Sequence, residues 1–298
     1  MITTKEFQHK GEIFMRPRID VMVFPEGKRK ALTLSYDDGI IQDRKLVSIL
    51  NKYGVKGTFN IGSGLLGDKN EAKVHGKTID ISKIEPEEVN TLYKGHEVAG
   101  HGLYHSSLAG IGSPSAVYEI IEDKRKLEEL TGYCVRGFAY PFGWYNGKVI
   151  EMLKQAGYEY ARVVETTGKF DIPSDFMEWR ATAHHADARL MELAEEFIND
   201  EGFFKRTKLF YLWGHSYEFD FEDNWNVIEG FLDYVTQHRD KIWFATNIEI
   251  CDYINAYRNL KYSVDGKMIL NQSACTIWID IYNQVYEIGA GETLNLSL

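Results

Sequence analysis

The chain is poor in cysteine, and this excludes a disulfide framework. It contains three cysteines, Cys134, Cys251 and Cys275, which are odd in number and widely spaced. Small domains that depend on disulfides carry an even set of cysteines, mostly in oxidising compartments. We therefore expect reduced thiols packed in the core.

Long apolar runs and clustered basic residues are also missing. No stretch approaches the roughly 20 apolar residues that a membrane-spanning helix needs. The formal net charge is −10, whereas a phosphate-binding face needs clustered lysine and arginine. The composition therefore predicts neither nucleic acid nor a membrane as partner, and it leaves the oligomeric state open.

The first residues also lack the apolar segment of a secretory signal. Residues 1–11 are mostly polar and contain no apolar run, whereas a signal peptide needs a short hydrophobic stretch behind a basic start. We expect a cytoplasmic location, or a secreted one if a signal segment has been removed.

What the chain does have is an alternation of strand and helix patterns. Apolar runs predict strands at 31–35, 55–61, 97–99, 135–140, 158–164, 208–213 and 242–245. Helical spacing and capping signals predict helices at 43–53, 82–92, 113–130, 146–156, 190–199 and 225–238. This alternation indicates a parallel sheet with helical crossovers, an α/β architecture.

The C-terminal part follows a different pattern. From residue 262 onward, apolar residues such as Ile277, Ile279 and Ile281 recur at period two, with turn signals at Asp265-Gly266 and 289–291. Such a pattern predicts short antiparallel strands. We divide the chain into an N-terminal extension (1–30), a barrel (31–260) and a β-strand appendage (261–298).

Two motifs in the first half carry candidate chemistry. Asp37 and Asp38 end an apolar run in Ser35-Tyr36-Asp37-Asp38-Gly39, and His101 and His105 lie four residues apart. One carboxylate oxygen and two imidazole nitrogens can fill three positions of a tetrahedral metal site and leave the fourth for water and substrate. The other carboxylate can then act as a general base. Alternatively, Asp-Asp-Gly is a solvated turn and the histidine spacing is chance.

A third element has the same form. Tyr211-Leu212-Trp213-Gly214-His215 is another apolar run that ends in a histidine. Strand ends of a parallel barrel meet at one mouth, where active sites are built. His215 therefore joins the candidate site, or else it caps a strand through a bond to a loop carbonyl.

Taken together and in order, these motifs resemble the polysaccharide deacetylases of the NodB type, carbohydrate esterase family four. That family reads Thr/Ser-Phe-Asp-Asp-Gly, His-Ser/Thr-x-x-His, a Pro-Tyr-Gly segment and Leu-x-x-His. The matching segments are 35–39, 101–105, Pro141-Phe142-Gly143 and 212–215, within a resemblance that runs from about residue 31 to about 253. The resemblance implies a distorted (β/α)7-type barrel, here with a small C-terminal β appendage.

The resemblance also implies roles for individual residues. Asp37 would be the general base, and His215 the general acid that protonates the leaving group. Asp38, His101 and His105 would hold a divalent metal, usually Zn²⁺, with Co²⁺ or Ni²⁺ accepted by related enzymes. The backbone N–H of Phe142 would stabilise the oxyanion.

Several positions depart from the family pattern. Gly102 follows the first histidine where the family has Ser or Thr, and Ala139 occupies the place of an arginine that the family aims at the base. We expect Arg162, on the next predicted strand, to replace that arginine; a surface salt bridge is the alternative.

The family's Asp-Trp pair, which tunes the acid histidine, has no clean match. Glu178-Trp179, Asp187 and Glu249 are the candidates for the carboxylate that replaces it. His184 and His185 carry no motif support and are interpreted as structural or solvent-exposed.

The substrate is less well defined. Trp144, Tyr145, Trp213 and Tyr217 flank the motif residues and are candidates to pack on sugar rings, or else they are rim packing. The polar segment 64–78 is predicted to be a loop over the mouth.

The main hypothesis is a metal-dependent hydrolase that removes N- or O-linked acetyl groups from a saccharide. The alternatives are an amidohydrolase of the same fold that opens cyclic imides or ureides, so that the partner is a small amide, and a barrel that binds saccharide without turnover. A glycosidase is disfavoured, because Asp37 and Asp38 are adjacent rather than facing each other across a cleft.

Overall fold

The computed structural model describes residues 20–74, 76–200 and 206–296. The predictions for 1–19 therefore lie outside the described residues. Within those ranges, no helix combines the length and apolar character that crossing a bilayer requires.

The centre of the molecule is a parallel sheet that nearly closes into a barrel. Its strands are β2 (Lys30–Asp37), β3 (Thr58–Ile61), β6 (Glu97–Gly100), β7 (Gly137–Ala139), β8 (Tyr160–Thr166), β9 (Trp179–Ala181), β10 (Ala183–His184), β11 (Lys208–Gly214) and β12 (Ile242–Phe244). The order is β10-β11-β2-β3-β6-β7-β8-β9, with β12 also on β2. β9 pairs with β8 while β10 pairs with β11, so the short segment containing both bridges the two ends of the sheet.

Helices cover the outside of this sheet. They are α1 (Asp43–Lys52), α2 (Val89–Leu92), α3 (Ser113–Thr131), α4 (Gly147–Gln155), α5 (Leu190–Asn199), α6 (Glu218–Phe221), α7 (Asn226–Thr236) and α8 (Asn247–Arg258). The predicted α/β barrel with a C-terminal β appendage is confirmed.

The two faces of the strands explain which side chains enter the barrel. In β2, Leu32, Leu34 and Tyr36 pack in the core beneath the helices. Successive strand residues point to opposite faces, so the alternate positions, including Ser35 and Asp37, face the interior. The same alternation in β8 places Ala161 and Val163 outward and Arg162 inward.

The prediction of a helix at 82–92 is wrong over most of its length. Residues 86–88 form a 3-10 turn and only Val89–Leu92 is α-helical. Glu85 precedes Pro86 and has an extended backbone (ψ 146°), as steric clash with a following proline ring favours. Upstream, Lys83 forms an antiparallel bridge with Ile40.

Small antiparallel sheets complete the molecule. β1 (Asp20–Val23), β15 (Ile277–Ile281) and β16 (Gln284–Ile288) form one, and β13 (Lys261–Tyr262), β14 (Met268–Leu270) and β17 (Thr293–Asn295) form another. Part of the segment predicted as a loop is instead a hairpin of β4 (Glu71–Val74) and β5 (Lys77–Asp80).

Candidate metal centre and catalytic site

The motif residues converge at the C-terminal ends of the parallel strands. Asp37 ends β2, His101 follows β6, the Pro141–Gly143 turn follows β7, and His215 follows β11. Carboxyl ends of parallel barrel strands share one mouth, so residues far apart in sequence come together there.

Asp38, His101 and His105 form a group that can hold a metal ion. One ligand atom from each lies within 4.8 Å of the others, and Asp38 Oδ1 is 4.0 Å from His105 Nε2. His101 Nδ1 lies 2.8 Å from the carbonyl oxygen of Ala139. A carbonyl oxygen can only accept, so Nδ1 donates and Nε2 keeps its lone pair for a ligand.

The protonation states also fit a cation. Burial lowers the pKa of His101 to about 4, so its ring is neutral at pH 7. Burial alone would raise the pKa of Asp38, but Lys83 and the neighbouring histidines lower it to about 2. One carboxylate and two neutral imidazoles are a donor set suited to Zn²⁺, Co²⁺ or Ni²⁺.

Two acidic residues of α3 brace the histidine loop. Asp123 accepts hydrogen bonds from the backbone N–H groups of His101 (3.0 Å) and Ser63 (2.8 Å). Glu119 accepts from the backbone N–H of Tyr104 (2.9 Å) and from Ser106 Oγ (2.9 Å). These carboxylates support the loop that lacks the family hydroxyl at Gly102.

The backbone at Gly102 also disfavours a hydroxyl residue there. Its φ of +75° lies in the left-handed region, which glycine adopts more readily than residues with a Cβ. Sequence reasoning missed Glu119 and Asp123. The available signal was their i, i+4 spacing among the apolar residues of a helix that follows the motif.

The Asp37 carboxylate lies deep in the mouth, between a guanidinium group, a side-chain amide and two imidazoles. Arg162 Nη2 donates to its Oδ2, and Asn60 Nδ2 donates to its Oδ1 at 2.7 Å. His101 Nε2 and His215 Nε2 lie 3.8 and 3.9 Å from Oδ2. Burial would raise the pKa of Asp37, but Arg162 and the histidines hold it below its ordinary value.

Arg162 occupies the position expected of the replacement arginine. It is 0% exposed, and its Cα pairs with that of Ala139 on the neighbouring strand. The guanidinium also lies over the Trp213 ring, with Cζ 4.1 Å from the ring centroid. Arg136, nearer in sequence, pairs instead with Asp252 and Glu159.

Glu218 is the carboxylate beside the candidate acid. Its Oε1 lies 3.1 Å from His215 Nδ1, and its Oε2 lies 3.2 Å from His184 Nε2 and 3.0 Å from His185 Nε2. Burial would lower the pKa of His215, but Glu218 and Asp37 raise it above its ordinary value. Burial would raise the pKa of Glu218, and the three histidines instead lower it far below its usual range.

The carboxylates expected from sequence for this role are engaged elsewhere. Glu178 lies near Arg180, Asp187 bonds Arg189, and Glu249 pairs with Lys56. His184 and His185, interpreted as structural or solvent-exposed, both contact Glu218. The signal for Glu218 was its position three residues after His215, at the first turn of α6.

His184, His215 and Glu218 also lie within metal-binding distance of one another. However, His184 Nδ1 accepts a hydrogen bond from the backbone N–H of Ala186 (3.1 Å). Its Nε2 therefore carries the hydrogen and donates to Glu218. This pattern is that of a hydrogen-bonded network around a carboxylate.

The Pro141–Gly143 turn brings the candidate oxyanion donor to the mouth. Phe142 has φ +59°, and its ring meets that of His105 edge-on at 4.5 Å. A Cβ on Gly143 would lie 2.4 Å from Val164, so this glycine permits the close approach of the turn to β8.

The four candidate substrate aromatics divide into exposed and buried positions. Trp144 is 63% exposed near Phe142, and Tyr217 lies 5.2 Å from the His215 ring. Tyr145 stacks on Tyr140 at 4.8 Å. Trp213 is 8% exposed beneath Arg162, so it supports the guanidinium more than it offers a free face.

Fold and site together define an α/β barrel with carboxylates and histidines at its mouth, an arrangement that can support hydrolysis. The polysaccharide deacetylase family model matches residues 25–161, and the resemblance to that family is thereby confirmed. The family match supports a deacetylase, and deacetylases of this family are generally metal-dependent. None of the curated proteins compared with the chain matches it.

Solved structures share this fold at low sequence identity. A presumed polysaccharide deacetylase from Mycobacterium smegmatis is 18% identical, with TM-score 0.58 over 80% of this chain and 94% of that one. Puue allantoinase is 12% identical, with TM-score 0.56 over 76% and 91%. BA3943, a pseudoenzyme of carbohydrate esterase family four from Bacillus anthracis, is 14% identical, with TM-score 0.50 over 78% and 68%.

Proposed function

We propose that the protein is a metal-dependent deacetylase that hydrolyses N- or O-linked acetyl groups of a saccharide. One observation carries this proposal. A single buried carboxylate oxygen, Asp37 Oδ2, faces His215 Nε2 at 3.9 Å and His101 Nε2 at 3.8 Å, at the edge of the candidate metal group. A base, an acid and a cation site thus share one small volume.

Asp38, His101 and His105 would hold the divalent cation. When bound, such a cation acidifies water and polarises a carbonyl. Asp37, held ionised by Arg162, takes the proton of the water that attacks the acetyl carbon. The Phe142 N–H is the donor available for the developing oxyanion.

His215 completes the reaction by giving a proton to the leaving nitrogen or oxygen. Its Nδ1 is occupied by Glu218, so Nε2 is the atom that transfers the proton. The carbon–nitrogen or carbon–oxygen bond breaks, and acetate and the free amine or alcohol leave. The raised pKa of His215 keeps a larger protonated fraction near neutral pH, as a general acid requires.

The surroundings support a saccharide of more than one unit. A groove of about 940 Å³ runs beside Glu218 and is lined by Tyr217, Phe221 and Met191 among others. Trp144 and Phe142 are exposed as well, and the Phe142 ring lies between those of His105 and Trp144. Aromatic rings at the edge of a cleft offer flat apolar faces, while polar groups there can fix hydroxyls.

The deciding experiment measures metal content and acetate release together. We expect stoichiometric zinc or cobalt in the wild type, loss of metal in His101→Ala and His105→Ala, and acetate release from acetylated chito- or xylo-oligosaccharides. His238→Ala is the matched control, because His238 packs against Tyr234 of α7. A wild type that stays metal-free after reconstitution would refute the metal centre.

A second candidate function is the hydrolytic opening of a cyclic imide or ureide. The shared fold of an allantoinase supports testing it, since the same base, acid and cation site can act on a ring amide. Ring opening without acetate release, abolished by Asp37→Asn, would favour this reading. Saccharide binding without either reaction would favour a non-catalytic barrel.

A further inference from the structure

Lys83 lies against the candidate metal group, although no motif includes it. It belongs to the extended stretch between β5 and the 3-10 turn at 86–88 and forms a bridge with Ile40. Backbone hydrogen bonds fix this stretch, because Lys83 N–H donates to the Asp68 carbonyl (2.9 Å) and Ile84 N–H to the Gly39 carbonyl (3.0 Å). The segment therefore runs alongside the loop that carries Asp38.

The lysine ammonium contacts an oxygen that the metal would use. Lys83 Nζ lies 3.4 Å from Asp38 Oδ1, with both side chains largely buried at 17% and 18% exposure. The same Oδ1 is the carboxylate oxygen that lies 4.0 Å from His105 Nε2. One oxygen therefore faces both a fixed positive charge and the imidazole with which it would share a cation.

We propose that Lys83 is an internal counter-ion of the metal centre that weakens metal binding by competing for Asp38. This inference rests on the proposed function, because it requires that the metal centre exists. An ammonium and a divalent cation repel each other strongly at short range where water is partly excluded. Metal binding must therefore displace the ammonium or tolerate it beside the cation.

Two consequences follow for different states of the protein. With no metal bound, Lys83 offsets the charge of the Asp38 carboxylate, so its removal lowers the melting temperature. With metal bound, the same removal relieves repulsion and tightens binding. A side chain with only a structural role would change the melting temperature and leave the metal affinity as it was.

The test compares metal affinity by competition with a chromophoric zinc chelator. We expect Lys83→Met to bind Zn²⁺ tighter by about tenfold or more, with Lys83→Arg close to wild type. Lys83→Gln covers the case in which the Met variant does not fold. Lys77→Met is the matched control. It removes the same charge, but Lys77 is exposed on the hairpin of β4 and β5.

Thermal unfolding with and without Zn²⁺ provides the second readout. We expect a lower melting temperature for metal-free Lys83→Met and a larger rise on adding Zn²⁺ than in wild type. If the wild type binds Zn²⁺ and the Met and Gln variants bind it with equal or weaker affinity, the proposed role of Lys83 is overturned while the metal centre stands. Failure of the wild type to bind Zn²⁺ would overturn the metal centre itself.

Discussion

Glu218 is the residue on which the protonation state of His215 depends most directly. It accepts hydrogen bonds from three imidazoles, and two of them, those of His184 and His185, do not face Asp37. These two bonds hold the carboxylate in place and ionised. His215 therefore meets a fixed anion on Nδ1 and presents Nε2 to the mouth.

Replacing this anion tests the proposed acid. In Glu218→Gln, His215 loses the charge that raises its pKa, so that pKa falls. A general acid works while protonated, so the basic limb of the kcat profile moves to lower pH. We expect a loss of about tenfold to a hundredfold at pH 8 and a smaller loss at pH 6, measured as acetate release.

Asp187→Asn is the control for this prediction, because Asp187 is bonded to Arg189 rather than to His215. It should keep the wild-type profile. Zinc content should be unchanged in both variants. A uniform loss across pH in Glu218→Gln would contradict the assignment and indicate a packing defect.

At the scale of single residues, the sequence predicts one of the two residues that contact the candidate base and acid, Arg162, and does not predict the other, Glu218. Arg162 was predicted from an apolar-flanked run on the next strand, and parallel register does place it opposite Ala139. Glu218 was missed because no strand ends at it. Its role follows from a short helix that turns back onto His215, which periodicity cannot resolve in four residues.

Helix α3 is the element that fixes the geometry of the metal-binding loop. Its buried carboxylate Asp123 accepts backbone bonds from both sides of the site, at Ser63 after β3 and at His101 after β6. Burial raises the pKa of Asp123 to about 6, against the opposing effect of the hydrogen bonds it accepts. The helix thereby ties two strand ends together.

An amide at this position should loosen the metal site. Asp123→Asn keeps the volume but turns one acceptor into an N–H donor that faces a backbone N–H. We expect Zn²⁺ affinity to fall by about tenfold to a hundredfold, as for other residues that orient ligands. Competition with a chelator measures it.

Glu122→Gln is the matched change on the same helix, since Glu122 pairs with Arg125 at the surface. Its zinc affinity should equal that of the wild type. Equal affinity in Asp123→Asn would mean that the histidine loop holds its shape without the Asp123 carboxylate.

Sequence patterns located most of the long helices, but they missed α8 (Asn247–Arg258) and failed where tertiary contacts decide. The predicted boundaries of α1, α4 and α5 agree within a residue or two. The segment before Val89 has helical spacing too, but its bridge to Ile40 and the restriction imposed by Pro86 keep it extended. A local pattern carries no information about such a partner.

At the scale of the whole molecule, the least predictable contact joins the two ends of the described chain. β1 pairs antiparallel with β15, with Asp20 opposite Ile281. The period-two pattern after residue 262 predicted strands, yet nothing local indicated a strand from the start of the chain as their partner. Arg29, which pairs with Asp280, adds an ionic contact across the same junction.

The barrel interior opposite the mouth contains a polar cluster around Glu97. This carboxylate accepts hydrogen bonds from Tyr160 Oη (2.7 Å), Thr58 Oγ1 (2.8 Å) and the Ile248 N–H (2.9 Å). It thus connects three barrel strands with α8. Burial nevertheless raises its pKa to about 7, against the opposing effect of these bonds.

This raised pKa predicts a pH dependence of folding stability. Between about pH 4.5 and pH 7 the unfolded carboxyl is ionised while the folded one keeps its proton. The stabilising contribution of Glu97 to the free energy of unfolding is therefore fully present below about pH 4.5. It is lost as pH rises towards 7, and the loss is on the order of 3 kcal/mol. In Glu97→Gln this loss disappears, and the difference in unfolding free energy between pH 5 and pH 8 shrinks accordingly.

Urea denaturation at both pH values measures this difference, with Glu195→Gln on the exposed side of α5 as control. Equal pH dependence in Glu97→Gln and wild type would mean that the three donors keep Glu97 ionised throughout the range.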